Sequence, residues 1–412
     1  EPPSRASVFL LLLLWFSIYF ESGVAKYFGG DPSWRDFSAM NEYYQNGPLP
    51  TWIGWYAAQL PRAVHEATAF VIVFTELVVV GMALLPRPFR IACFFLVTLL
   101  QAGIILTANY AFLNYLVLAL GIFLLDDGFL LRLVPGRRRL SLRTRLASEG
   151  AGTSRSKSWF PFRRPAEDVR GAPGPDPLSL LNPTPSVPEG TKPAEQARRE
   201  QKGAARAVST LWLWTRTFLL AWVLYATAGL LLEQVWPGLP LPRQPLSLLE
   251  PLRIANSYGL FGRMTWARYE IEFEGSTDGT HWRTYPFRYK PQAVDEAPGI
   301  YAPYQPRFEW NLWFASLGGW RENPFVVRTE QQLLLNNGDV LGLFRSNPFP
   351  AAPPAKVRAV VWQYWFTDRA GRKSTGAWWR REFRGLYAPA LERTPDGRIL
   401  VSAWPQDTPP PP

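Results

Sequence analysis

Cysteine and histidine are almost missing from these 412 residues: Cys93 stands alone inside an apolar stretch, and His65 and His281 are the only imidazoles. A structural zinc site needs about four Cys/His ligands and a thiol oxidoreductase needs paired cysteines, so both chemistries are excluded, as is an intrachain disulfide. A serine-type triad would have to recruit His281, which lies in Asp278-Gly-Thr-His-Trp282 with no nucleophile-elbow motif beside it and reads as an exposed turn residue. No phosphate-binding glycine loop or dinucleotide fingerprint is present, so no cofactor and no metal are expected. The acids form no recognisable paired-carboxylate site, and Glu270, Glu272 and Glu274 read as the solvated face of a strand.

Apolar residues are plentiful instead, at 47%, with 19 Trp, 26 Phe and 16 Tyr. Four stretches have the roughly 20 apolar residues that cross a hydrocarbon core. They are Val8 to Phe28, Val64 to Leu85, Phe89 to Leu125 and Leu211 to Trp236. The third is too long for one helix and divides near Asn109-Tyr110, giving five helices. The net charge of +11 could point to nucleic acid, but the excess lies between Arg132 and Arg206, with sixteen Arg/Lys against seven acids, flanking membrane helices. With Arg5, the Pro86–Arg90 turn and that basic block in the cytoplasm, the positive-inside rule holds at every turn. The loop from Gly29 to Arg62 and everything after Trp236 then share the opposite compartment. No nucleic-acid partner is expected.

The fold class this predicts is a multi-pass α-helical membrane domain plus a soluble α+β domain with a β-sandwich-like core and a helical insertion. Residues 1–131 carry four helices, 132–209 form a basic, proline-rich, disordered cytoplasmic linker, and 210–237 are the fifth helix; 250–392 are the exported domain and 393–412 a tail without structure. The chain begins with Glu1 rather than Met, which suggests a missing amino terminus.

In the exported domain Tyr269, Ile271 and Phe273 alternate with the three glutamates as a strand, Thr277-Asp-Gly-Thr280 supplies a hairpin turn, and Tyr285, Phe287 and Tyr289 alternate with Arg288 and Lys290 as its partner. Pro306 to Gly318, Gln331 to Leu335 and Val340 to Phe344 read as helical, and Val357 to Thr367 as a central strand. Exposed Trp and Arg are enriched at interfaces, so Tyr258, Phe261, Arg307, Trp310, Trp313, Trp378, Trp379, Arg380 and Arg381 are candidates for binding a partner, with core packing as the competing reading of the tryptophans. Ionisable groups inside a membrane are expensive, which singles out Glu76 and, near a helix end, Lys26. They form either part of a polar intramembrane pocket or a paired contact that fixes helix packing; Gln101, Asn109 and Asn114 read as interhelical hydrogen bonds.

Asn256-Ser-Tyr-Gly-Leu-Phe-Gly-Arg-Met264, Glu274-Gly-Ser-Thr-Asp-Gly279, Phe287-Arg-Tyr-Lys-Pro291, Ala302-Pro-Tyr-Gln-Pro-Arg307, Trp313-Phe-Ala315, Asn347-Pro-Phe349 and Trp378-Trp-Arg-Arg-Glu382 follow in an order that resembles the lipase maturation factor family. Gly29-Gly-Asp-Pro-Ser-Trp-Arg35, Tyr43-Tyr44, Pro48-Leu-Pro50, Trp55-Tyr56 and Asp126-Asp127 are similar to the loops around that family's helices. The long proline-rich connector and short tail differ from its vertebrate members and point to a bacterial or otherwise divergent one. The resemblance implies a membrane-anchored, chaperone-like maturation factor, not an enzyme, whose partners are the bilayer and a secreted lipase or other exported client. It implies an endoplasmic reticulum membrane in a eukaryote or the inner membrane in a bacterium. The alternative is a membrane-embedded enzyme or lipid- or quinone-binding protein that uses the pocket around Glu76 and Lys26. A weaker option makes Gly275 to Trp282 the hairpin of a carbohydrate-binding module.

Overall fold

The computed structural model describes residues 5–110, 112–134 and 192–406. The predicted linker between 135 and 191 lies outside the described residues, as do 407–412 of the predicted tail. The amino-terminal helices are α1 (Arg5–Phe28), the short α2 (Met40–Asn46) and α3 (Trp52–Ala58), then α4 (Arg62–Leu77), α5 (Arg87–Thr107), α6 (Phe112–Gly121) and α7 (Asp127–Leu133). A 3₁₀ segment, Val79–Leu84, prolongs α4. The next helix, α8, runs unbroken from Lys192 to Val235. Its first turns fall within residues 192–209 of the predicted linker, and its stretch apolar enough to span begins at Thr210. Ala, Glu, Gln, Arg and Lys after Pro193 are strong helix formers, and proline suits a first turn.

Among the described residues four helical stretches are long and apolar enough to cross a membrane: Ala6–Phe28, Arg62–Leu84, Arg87–Thr107 and Thr210–Val235. The expected break at Asn109-Tyr110 is present, but the helix beyond it, Phe112–Leu124, is shorter than a span at about 1.5 Å per residue. It nevertheless packs into the bundle, where Trp15 Nε1 donates to Val117 O at 3.1 Å. Trp15, Tyr19, Val80, Cys93, Val97 and Val117 form the bundle core. Their outward neighbours on α4 and α5, such as Phe70, Phe74, Phe95 and Leu99, are exposed, as a lipid-facing surface requires.

The carboxy-terminal strands are β1 (Arg268–Ser276), β2 (Arg283–Thr284), β3 (Lys356–Phe366), β4 (Trp379–Leu386), β5 (Ala390–Arg393) and β6 (Ile399–Ala403), with helices α9 (Arg307–Ala315) and α10 (Pro324–Leu334) between β2 and β3, and α11 (Arg369–Thr375) between β3 and β4. All six strands join one antiparallel sheet in the order β2-β1-β3-β5-β6, with β4 also paired to β3. As expected, β3 is central: one edge pairs with β1 from Arg268↔Tyr364 to Ser276↔Lys356, and the other with β4 and β5. Two features differ from expectation. The hairpin's second strand is only two residues long, with one further backbone bond from Tyr285 N–H to Phe273 O at 2.9 Å before the chain leaves the sheet. The predicted structureless tail contains β6, which pairs with β5 from Arg393↔Ile399 to Ala390↔Ala403.

One sheet face carries Ile271, Phe273, Val357 and Ala359 and packs against Leu312, Ala315, Val326, Leu333 and Leu334 of α9 and α10. The opposite face carries Arg268, Glu270, Glu272 and Glu274, and all four are buried, at 1%, 2%, 2% and 7% exposure. The expectation of a solvated acidic face is therefore corrected. Each carboxylate has a cation: Arg268 and Lys290 pair with Glu270, Arg381 with Glu272 at 3.1 Å, and Arg358 with Glu274 at 2.7 Å.

Candidate functional site

The block Tyr258-Gly-Leu-Phe-Gly262 is a strap laid across the end of α1. Two glycines allow this: a methyl group on Gly259 or Gly262 would lie 3.3 or 3.1 Å from the Ala25 side chain. Phe261 adopts the left-handed backbone conformation (φ 54°), uncommon for a bulky residue, and so turns the strap's polar groups toward the bundle. Tyr258 N–H donates to Glu21 Oε2 at 2.6 Å, Trp34 Nε1 donates to Phe261 O at 2.8 Å, and Met264 N–H donates to Asp31 Oδ2 at 2.6 Å. Gln234 of α8 joins both sides, donating to Glu21 O at 2.8 Å and to Tyr258 O at 3.0 Å.

Lys26 and Glu76 meet beneath the strap. The Lys26 ammonium donates to both Glu76 oxygens, at 2.9 and 2.8 Å, and to Leu260 O at 2.8 Å, which uses its three protons. It also lies 5.4 Å from the Trp34 ring centre. Close approach of α1 and α4 makes the pair possible, because a methyl on Gly23 would stand 2.9 Å from Glu76 Cβ. Glu76 and Lys26 are thus paired inside the bundle. Asn114 donates to Gln101 at 2.7 Å, the expected interhelical bond. Asn109 does something else: it donates to Leu49 O and Gly299 O and accepts from Tyr301 N–H, so it ties the α5–α6 junction to the carboxy-terminal domain.

Most of the predicted partner-binding residues are consumed in this junction or in the domain core. Phe261 packs on Tyr43 and Tyr110, and Trp310 on Tyr110, all at ring-centre separations of 4.9 to 6.2 Å. Trp313 is buried and donates to Asn46 O at 2.9 Å. Trp379 is buried against Tyr364 and Phe366, and Trp378 lies under Arg372 and meets Trp55 edge to face. Arg381 is held by Glu272 and the Tyr364 hydroxyl above the Trp362 ring. Arg307 and Arg380 remain exposed.

The buried charged layer is the part sequence reasoning missed, since its partners are distant in sequence: Arg268 donates to Gln45 O at 2.9 Å and to the carbonyls of Gly47 and Pro48, and Arg381 and Arg358 reach Glu272 and Glu274 from β4 and β3. Burial pushes the Glu272 carboxyl up to about 7, against the opposing pull of the Tyr364 hydroxyl and Arg381. Burial also raises Glu309 and, further, Glu330, although backbone N–H groups of 288–290 and of Ala359 donate to them. His281 is exposed in its turn, as expected, beside Asp278, whose carboxyl is held far below the usual range by hydrogen bonds from the His281 side chain and neighbouring N–H groups. Among the described residues no group of three His, Cys, Asp or Glu side chains could hold a metal ion.

The open surface lies beside β4 and β6. A groove of about 1110 Å³ is lined by Trp320, Phe383, Arg384, Tyr387 and Trp404 among others. Phe383, Leu400 and Trp404 are strongly exposed, and among the described residues β4 and β6 each leave one edge unpaired.

Membrane-length helices, locked to an α+β domain by hydrogen bonds from buried side chains to its backbone and the reverse, define a multi-pass membrane protein with a fixed carboxy-terminal module. Residues 1–132 match the lipase maturation factor transmembrane domain, and 254–389 the lipase maturation factor C-terminal domain. The chain belongs to the lipase maturation factor family. It is 30% identical to human (Homo sapiens) lipase maturation factor 2 over 457 aligned positions, which take in 95% of this chain and 60% of that protein. It is 29% identical to lipase maturation factor 1 of Bos taurus, over 96% of this chain and 63% of that one. The chain thus spans about 60% of the length of the curated relatives it matches. No solved structure matches it.

Proposed function

We propose that the protein is a membrane-anchored, chaperone-like factor that assists folding or assembly of a secreted lipase or related exported client. The observation that carries this reading, beside the family, is the aromatic groove at the unpaired strand edges. An exposed apolar patch next to open N–H and C=O groups accepts an extended segment of a partly folded chain, by strand addition and side-chain pockets together. No bond need be made or broken. The pairing of Glu76 with Lys26 supports packing over an intramembrane reaction at that place.

The same reading puts the groove in the compartment where clients fold. Trp34, Asn46 and Asn109 all touch the carboxy-terminal domain, so the Gly29–Arg62 loop, the α5–α6 junction and that domain share one end of the bundle. With the Pro86–Arg90 turn in the cytoplasm, that end faces the endoplasmic reticulum lumen or the periplasm. The test is secreted lipase activity per unit of lipase protein in host cells lacking the gene, restored with the intact chain or with a Phe383→Asp/Trp404→Asp chain. Restoration by the intact chain alone supports the proposal; unchanged lipase activity in the deleted cells refutes it.

A further inference from the structure

A second recess, of about 310 Å³, lies between α3 and α11 and is lined by Trp55, Tyr56, Arg369, Arg372, Lys373 and Gly376. Arg372 is fixed there. Its guanidinium lies 3.5 Å from the Trp378 ring centre and 5.0 Å from that of Trp55, and it donates to the Tyr56 hydroxyl at 3.1 Å. Arg369 and Lys373 are exposed on the same helix, and among the described residues neither has a carboxylate within ion-pair reach. Three cations therefore converge on one small recess.

Its position identifies what fills it. α3 crosses the end of α5: Thr51 Oγ1 donates to Leu106 O at 2.8 Å, and a methyl on Gly54 would lie 2.4 Å from Thr107 O, so the contact is close. α4 begins at Arg62, just after α3. The recess thus sits where two membrane-length helices end. Trp52, Tyr56 and Leu60 are exposed there and continue the exposed stripe of Val64, Val71 and Phe74 along α4. Tryptophan and tyrosine at that level are the arrangement of a bilayer interface on either side, and cations just beyond them attract anionic headgroups.

We infer that Arg369, Arg372 and Lys373 bind the phosphate of an anionic phospholipid headgroup, with Trp52, Tyr56 and Leu60 against its glycerol and upper acyl region. This goes beyond the proposed client role, and it holds α11, and with it the sheet, against the leaflet on that side. The intact chain, purified in detergent with equimolar phosphatidylglycerol and phosphatidylcholine, is assayed by native mass spectrometry for the ratio of the two lipids retained. Loss of two juxtamembrane cations at roughly 5-fold each predicts that Arg369→Gln/Lys373→Gln lowers this ratio about 25-fold. Arg283→Gln/Arg398→Gln, exposed cations elsewhere on the sheet domain, should leave it unchanged. An unchanged ratio in the first variant, or an equal fall in the second, overturns the inference. So does complete displacement of phosphatidylglycerol by millimolar inorganic phosphate, which would make this a site for a soluble anion.

Discussion

Breaking the Lys26–Glu76 pair on one side should be far worse than removing it whole. Both side chains are buried, at 5% and 9% exposure. The ammonium is within 2.9 Å of both carboxylate oxygens and of no other acid among the described contacts. Glu76→Gln leaves a cation with only neutral acceptors, and Lys26→Met leaves a carboxylate against hydrocarbon, each a loss of about 3–5 kcal/mol. Lys26→Met/Glu76→Met removes both charges and replaces them with apolar volume, which is neutral to favourable by about 1–4 kcal/mol. It also forfeits the charged hydrogen bond to Leu260 O, worth about 1.5–3 kcal/mol, so the double variant should fall within about 2 kcal/mol of the parent. Unfolding of the purified protein in mixed micelles of rising SDS fraction, followed by tryptophan fluorescence, measures all four corners of the cycle. A double variant that loses about 6–10 kcal/mol, the sum of the singles, would refute the pairing account, as would singles that cost under about 1 kcal/mol. If instead Glu76 served chemistry, the double variant would fold normally and fail to restore function in cells.

Gly262→Val should lift the strap from α1, because even its first carbon would lie 3.1 Å from Ala25 Cβ; limited proteolysis should then cut near 253–266 in the variant and not in the parent. Arg268→Ala, which leaves Glu270 short of a cation and three carbonyls without a donor, should destabilise by about 3–5 kcal/mol in the same micelle assay, whereas exposed Arg380→Ala should stay within about 0.5 kcal/mol. Glu272 has a folded-state pKa of about 7, raised above its unfolded value near 4.5, so the folded state binds the extra proton. Its contribution is fully present below about pH 4.5 and is lost as pH rises through about 7, up to about 3 kcal/mol in all. Glu272→Gln should flatten unfolding free energy against pH across that window; an unaltered slope would show that another group titrates there.

The period-2 patterns around Tyr269–Phe273 and Val357–Phe366 were readable because burial repeats every second residue wherever one strand face is apolar. That alternation says which residues share a face and is silent on what covers it. Glu270, Glu272 and Glu274 therefore read as solvated, while Arg268, tied to Gln45–Pro48 more than 200 residues earlier, and Arg381, Tyr364 and Arg358 from other strands hold them. Asn109 misled for a related reason: an amide in an apolar stretch fits an interhelical bond, and only the fold brings Gly299 and Tyr301 to it. Tyr258–Gly262 stood out by composition, yet nothing local shows that its glycines meet Ala25 or that its carbonyls meet Lys26 and Trp34. The strand β6 was missed because Ile399–Ala403 has neither alternation nor a turn signal beyond Asp396-Gly397, and β5 supplies its only partner.

The location of the aromatic residues decides where a client can bind. Tyr43, Tyr110, Phe261, Trp310 and Trp313 join the helices to the sheet domain, and with the buried Arg268–Glu270–Lys290 group they make an interface that excludes water. Opening it to admit a client would strand those charges, each unpaired one at about 3–5 kcal/mol, so the interface is a poor place for reversible binding. The groove beside β4 and β6 has the opposite character. Leu400 and Trp404 are already in solvent and the strand edges are already unpaired, so covering them removes apolar surface from water without breaking a native contact. A client that binds there can leave again when its own core closes, which is the behaviour a maturation factor requires. Charge substitutions at Phe383 and Trp404 should therefore abolish client maturation and leave micelle unfolding unchanged, whereas Trp313→Ala should lower unfolding free energy by about 3–5 kcal/mol. If Phe383→Asp/Trp404→Asp retained full activity while Arg307→Ala/Arg380→Ala lost it, the client surface would lie with the exposed arginines instead.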